Sequence, residues 1–349
     1  METRKIQQVG GGTYTVSLPK EWADEVDIEP GSTVALHTHI DGTLVVQTGS
    51  ESGETATPLS LSIGAADPEC IAHTLRAAYT AGIDTVELSA KEGLTDHQRR
   101  KVERITRDLT GMTVTESNDE RMRVRSLLDS NEVSIPQSVR QLQFTALSAH
   151  RDATAAVTGP TSVEDPATRD NQPDRLYSMV NRYFQQGLDS LSVMDALGLT
   201  QSNLFIHWVT ARELERVADH ARRIADVANR LEAPLSGELA EEFNQLSSRT
   251  RTVVRKAVGS IVDSADTATL RILNKECSRL HEALNALDRR LFEMDDAPYR
   301  LTNALDALVR TVDSAESIAM LALRSRLRGH TPDDEALTIG DVAESLADT

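Results

Sequence analysis

Apolar and polar positions alternate in short runs over the first fifty residues, and this gives way to helical spacing beyond residue 134. Within 1–49 the runs RKIQQV, YTVSL, TVALHTHI and TLVVQT read as strands. GGG, EPGS and DG interrupt them, and Asp41-Gly42 is a tight-hairpin signal. One short helix, PKEWADEV, is expected after Leu18, because proline suits the first helical turn. The polar stretch SESGETAT (50–57) reads as a linker.

Residues 58–129 alternate strand and helix as a small α/β module. LSLSI leads into DPECIAHTLRAAYTAG, with Asp67 as N-cap and Gly82 as the stop. DTVELSA, a helix from Thr95 to about Thr110 ending at Gly111, then MTVTES and MRVRSLL complete it.

From Ser134 the strand pattern is lost. Six helices are expected, at 136–158, 173–196, 201–232, 237–262, 267–293 and 298–327, with breaks rich in capping and turn residues. A repeat lies within them: ERVADHARRIA (215–225) aligns with VRTVDSAESIA (309–319) at an offset of 94 residues. Arg216, Asp219, Ala221, Ile224 and Ala225 match Arg310, Asp313, Ala315, Ile318 and Ala319. Two homologous three-helix bundles, 134–232 and 236–327, follow. The acidic tail 328–349 reads as partly disordered.

Composition sharpens this organisation. The 349 residues carry a net charge of -17, and only six of the 37 basic residues are lysine. An acid excess with arginine favoured over lysine fits a salt-adapted cytoplasmic protein. Cys70 and Cys277 stand too far apart in sequence for a zinc knuckle or disulfide framework. No apolar run reaches the ~18 residues needed to insert in a membrane, and no signal-peptide core opens the chain.

Candidate chemistry is sparse. Glu215 and Asp219, at i and i+4, project from one helical face, and Asp174 in the preceding helix offers a third oxygen. Such carboxylates can hold a divalent metal or iron, or they can pair with Arg212, Arg216, Arg222 or Arg223. His37 and His39 share a strand face without a third ligand and read as surface residues. GGG at 10–12 lacks the G-K-[ST] of a phosphate-binding loop. Arg100, Arg104 and Arg107 on one helical face and Arg121, Arg123 and Arg125 along one strand offer a basic surface, or a solvated face paired with Glu103, Asp108, Glu116 and Asp119. Neither a Ser-His-Asp nor a Cys-His signature is present, so no catalytic residue is assigned and a non-enzyme is expected.

Two resemblances extend this reading. Residues 4–47, with Leu18-Pro19-Lys20, the short helix and Ile28-x-Pro30-Gly31-Ser32, resemble the SpoVT/AbrB family of swapped-hairpin domains. That implies an interleaved β-barrel, an obligate homodimer, and contacts to promoter DNA through Arg4 and Lys5, Thr13 and Tyr14 beside the first turn, and Lys20. Ala23 and Asp24 stand where the family often carries arginines, and Thr15 where an arginine is common. ELERVADHARRIADVANRL and NQPDRLYSMVNRYF resemble the PhoU family of phosphate-uptake regulators, which consist of two tandem three-helix bundles. That implies metal at Asp174, Glu215 and Asp219. Since Val309 and Ser278 replace the usual acids in the second copy, where only Asp313 is kept, metal is expected in the first bundle only. The ordered combination is similar to archaeal regulators of this kind.

The expected chain is therefore a multidomain α+β protein: a swapped-hairpin head, an α/β connector and an all-α half. The resemblance implies a regulator of phosphate uptake, acting on promoter DNA or on a phosphate ABC transporter ATPase or sensor kinase. Residues 1–49 hold three bases against seven acids, which favours a head that only dimerises as the alternative.

Overall fold

The computed structural model describes residues 3–38, 42–48, 58–159, 172–262, 267–294 and 298–328. His39, Asp41, the linker 50–57 and the tail 329–349 lie outside these. The chain is a multidomain α+β protein with a small N-terminal strand region and a largely helical C-terminal part.

Four strands and a helix form the N-terminal region: β1 (Gln7–Val9), β2 (Thr13–Thr15), α1 (Lys20–Glu25), β3 (Val34–Thr38) and β4 (Leu44–Thr48). Among the described residues β1 pairs only with β2 and β3 only with β4, both antiparallel, so two separate ribbons result. The first strand is shorter than RKIQQV predicts; Arg4 and Lys5 precede it. None of the described residues of this region is buried. Ile6, Val9, Tyr14, Val16, Leu36 and Leu44 instead face outward.

The middle region comprises β5 (Leu59–Ser62), α2 (Pro68–Thr80), β6 (Thr85–Ser89), α3 (Asp96–Asp108), β7 (Met112–Ser117) and β8 (Arg121–Ser126). The sheet order is β5-β6-β8-β7; β5 runs parallel to β6, and β8 is antiparallel to both its neighbours. Apolar residues of α2 and α3 (Ile71, Leu75, Val102, Ile105) bury against Val86, Leu88, Met122 and Val124. Each such side chain contributes about 1.5–3 kcal/mol. Thr95 closes a capping box with Gln98, whereas Asp67 occupies the N-cap of α2 without a side-chain hydrogen bond. Gly111, at φ 74°, lets the backbone pass Leu128, whose Cγ would lie 2.3 Å from any added Cβ.

Among the described residues seven helices follow: α4 (Ile135–Thr158), α5 (Gln172–Asp189), α6 (Leu191–Leu197), α7 (Gln201–Ala228), α8 (Gly237–Val262), α9 (Thr267–Glu293) and α10 (Leu301–Arg328). The single helix expected at 173–196 is broken, because Ser190 accepts a hydrogen bond from the Val193 amide and starts a new helix. α4 packs on α5, α7 and α8; α10 packs on α7, α8 and α9. The two copies of the repeat lie on α7 and α10, which meet directly, and His220 Nδ1 stands 3.2 Å from Thr311 Oγ1. Their apolar interior is continuous, including Leu142, Val217, Phe243, Leu280 and Val312.

A buried arginine joins the middle and helical regions. Arg182 of α5 is 1% exposed and donates to the carbonyls of Tyr79 (3.0 Å) and Ile83 (2.8 Å) and to the Asp84 carboxylate. Its guanidinium lies 5.0 Å from the Tyr79 ring centroid. Gln186 adds a hydrogen bond to the Gly82 carbonyl at 2.8 Å. No helix of the described residues is long and apolar enough to cross a membrane.

Candidate functional site

The carboxylates singled out by sequence meet where α5 begins against the middle of α7. Asp174 lies in the first turn of α5; Glu215 and Asp219 are one turn apart on α7. Arg222, three residues beyond Asp219, occupies the space between them. Its Nη1 and Nη2 each lie 3.2 Å from Asp174 Oδ1, and Nη2 also donates to the Asp219 carboxylate. Burial, aided by the charges of Asp219 and Asp174, raises the Glu215 carboxyl to about 7. A cation entering here has to displace a guanidinium already fixed by two acids. Arg216 pairs elsewhere, with Glu213 at 3.0 Å, and Arg212 lies 6.0 Å from the Trp208 ring centroid.

The corresponding place on α10 is built differently. Asp313 Oδ1 lies 2.9 Å from Nε2 of His281 on α9, while His281 Nδ1 is 3.4 Å from Glu316 Oε1. One donor atom from each of the three residues falls within 4.8 Å of the others. The repeat aligns Glu316 with Arg222, so the charge at this position is inverted between the copies. An imidazole facing carboxylates through both nitrogens satisfies both only as the imidazolium, unless a metal takes one of them. Sequence reading found Asp313 but missed His281 and Glu316. A D-x-x-E pair at i, i+3 was a legible signal for Glu316, whereas His281 depends on the register of α9 against α10.

Part of the basic surface of the middle region is engaged in ion pairs. Arg123 bridges Glu87 (2.6 Å) and Glu116, Arg99 reaches Asp119 (3.3 Å), and Lys101 holds Glu69 (2.5 Å).

Arg4, Lys5, Thr13, Tyr14 and Lys20 are all exposed in the N-terminal region. Thr13 and Tyr14 lie on β2 opposite Val9 and Gln8, and Lys20 opens α1. Glu21, Asp24 and Glu25 share that short helix and are equally exposed. The Lys20 charge is therefore outnumbered within two turns.

A profile of the MazE family, the antidote–toxin recognition domain of bacterial antitoxins, matches residues 7–53. No curated protein matches the chain. The match coincides with the two ribbons and the short helix, so the N-terminal region is MazE/AbrB-like.

Proposed function

We propose that this chain is a non-enzymatic regulator that dimerises through its MazE/AbrB-like head and binds promoter DNA there. The observation that carries the reading is that none of the head's described residues is buried. Two unpaired ribbons expose Ile6, Tyr14, Leu36 and Leu44, and interleaving with a second copy into a swapped-hairpin barrel would bury them. Arg4, Lys5, Thr13, Tyr14 and Lys20 are the residues assigned to DNA. The helical half, read as tandem three-helix bundles, would sense a partner in phosphate-responsive signalling. Its place would be the cytoplasm, at high salt, where the screening length shrinks to ~3 Å at 1 M and the acidic head repels DNA less.

A second reading is favoured by Glu21, Asp24 and Glu25 around Lys20: the head only dimerises. The helical half then regulates a phosphate ABC transporter ATPase or a sensor kinase by direct contact. Mobility shifts of the chain's own and transporter promoter fragments separate the two. Specific retardation lost in Arg4→Ala/Lys5→Ala is expected; no specific retardation at working salt leaves the second reading. Light scattering tests dimerisation: deletion of residues 1–49, or Leu36→Glu, is expected to halve the mass.

For the metal, Asp313 with His281 and Glu316 forms the better donor set. It offers one nitrogen and two carboxylates without a resident guanidinium. Asp174, Glu215 and Asp219 would hold a cation only with Arg222 swung away.

A further inference from the structure

The face where α4 meets α8 carries a notch of about 210 Å³. Phe144, Leu147, Ser148 and Arg151 line it from α4, Arg251 and Arg255 from α8. Three guanidiniums face the cavity and no acid is among the lining residues, although acids outnumber bases 54 to 37 in the chain. Arg151 is within 3.5 Å of the exposed Asp152 and donates to Ser148 Oγ at 3.1 Å. Arg251 donates to the neutral Thr154 hydroxyl at 2.9 Å. Among the described residues, neither Arg251 nor Arg255 has an ion-pair partner. Burial, with Arg151 and Arg255 close by, pushes the Arg251 guanidinium below its ordinary value. The cluster is thus charge-frustrated, with about two positive charges left uncompensated.

The remaining wall is apolar. Phe144 is 74% exposed at the rim, and Leu147 lies one turn further along α4. An exposed phenylalanine beside unpaired guanidiniums suits a ligand with an anionic head and a flat apolar body. The volume falls below the ~300–1,000 Å³ of drug-sized sites, which limits the body to about one ring.

We propose that this notch binds a small phosphomonoester bearing an aromatic ring, with Arg251, Arg255 and Arg151 on the phosphate and Phe144 and Leu147 on the ring. A phosphomonoester carries about -1.5 to -2 charges at neutral pH, which balances the uncompensated guanidiniums; a carboxylate supplies only one. The site is independent of how the head acts.

Titration calorimetry of the full-length chain with phenyl phosphate, benzoate and inorganic phosphate at low ionic strength tests it. Phenyl phosphate is expected to bind saturably at one site, more tightly than the other two. Arg255→Gln, an exposed position that leaves folding intact, is expected to weaken it ~10-fold or more, the worth of one charge-assisted hydrogen bond. Arg251→Gln should do the same, with circular dichroism checking its fold. Phe144→Ala should weaken phenyl phosphate and leave inorganic phosphate unchanged. The absence of saturable binding to the wild type, or binding undiminished in Arg255→Gln, overturns the site. Equal binding of inorganic and phenyl phosphate overturns the role of Phe144 and the ring.

Discussion

Arg182 on α5 and Asp84 just before β6 form an ion pair of unequal burial, the guanidinium 1% exposed and the carboxylate 53%. The arginine is committed to the interface between the middle and helical regions, while its counter-charge keeps contact with water. Most of the hold therefore comes from the two carbonyls it caps and from the Tyr79 ring. Arg182→Ala is expected to remove about 3 kcal/mol, because it orphans the Tyr79 and Ile83 carbonyls and leaves a cavity. Urea denaturation followed by calorimetry checks this, and the middle region should then melt separately from the helices.

Glu215 makes stability depend on pH. Its folded-state carboxyl is raised from 4.5 to about 7, so the folded chain keeps a proton that the unfolded chain gives up. Stability from this group is full below about 4.5 and is lost as pH rises through 7. Allowing for solvent screening of a partly exposed group, about 1–2 kcal/mol is at stake. Glu215→Gln should flatten the slope between pH 5 and pH 7 and raise stability at pH 8. An unchanged slope in urea melts across that range would assign the titration to another group.

Metal content separates the two carboxylate sets. Elemental analysis after loading with zinc or manganese should show loss of metal in His281→Ala and Asp313→Asn, with Glu215→Ala/Asp219→Ala unaffected. The reverse pattern would mean that Arg222 moves aside and the first set is the site. Arg222→Ala supplies the complementary arm: removal of the guanidinium should create affinity at Asp174, Glu215 and Asp219.

Gly111→Ala combines a left-handed φ of 74° with a near-overlap on Leu128. A loss of about 1–3 kcal/mol is expected, read as a lower denaturation midpoint with unchanged slope.

The punctuation of the fold was legible in the sequence. Gly82 and Gly111 mark turns with φ of 86° and 74°, and Ser134 accepts from the Gln137 amide where the helical half begins. The break at Ser190 within the helix expected at 173–196 is not legible, because a serine inside an apolar-periodic run is ambiguous: only the hydrogen bond it accepts from the Val193 amide makes it a cap. Arg182 left no sequence signal, since a buried arginine is defined by carbonyls about a hundred residues away. Asp174, Glu215 and Asp219 were legible as a group, yet their occupant was one of four named arginines, and only packing selects Arg222. The inversion from Arg222 to Glu316 was printed in the repeat, but it acquires chemical meaning only once His281 is seen between Asp313 and Glu316.

The head, with no buried side chain among its described residues, has a consequence for how a cell would read this protein. On the proposed reading, in which the head acquires its interior from a second copy, it would fold by mass action and its stability would rise with subunit concentration. The middle and helical regions carry cores of their own. Dilution would then unfold the head first and leave a folded monomer behind, making the N-terminal region a gauge of how much of the protein has accumulated.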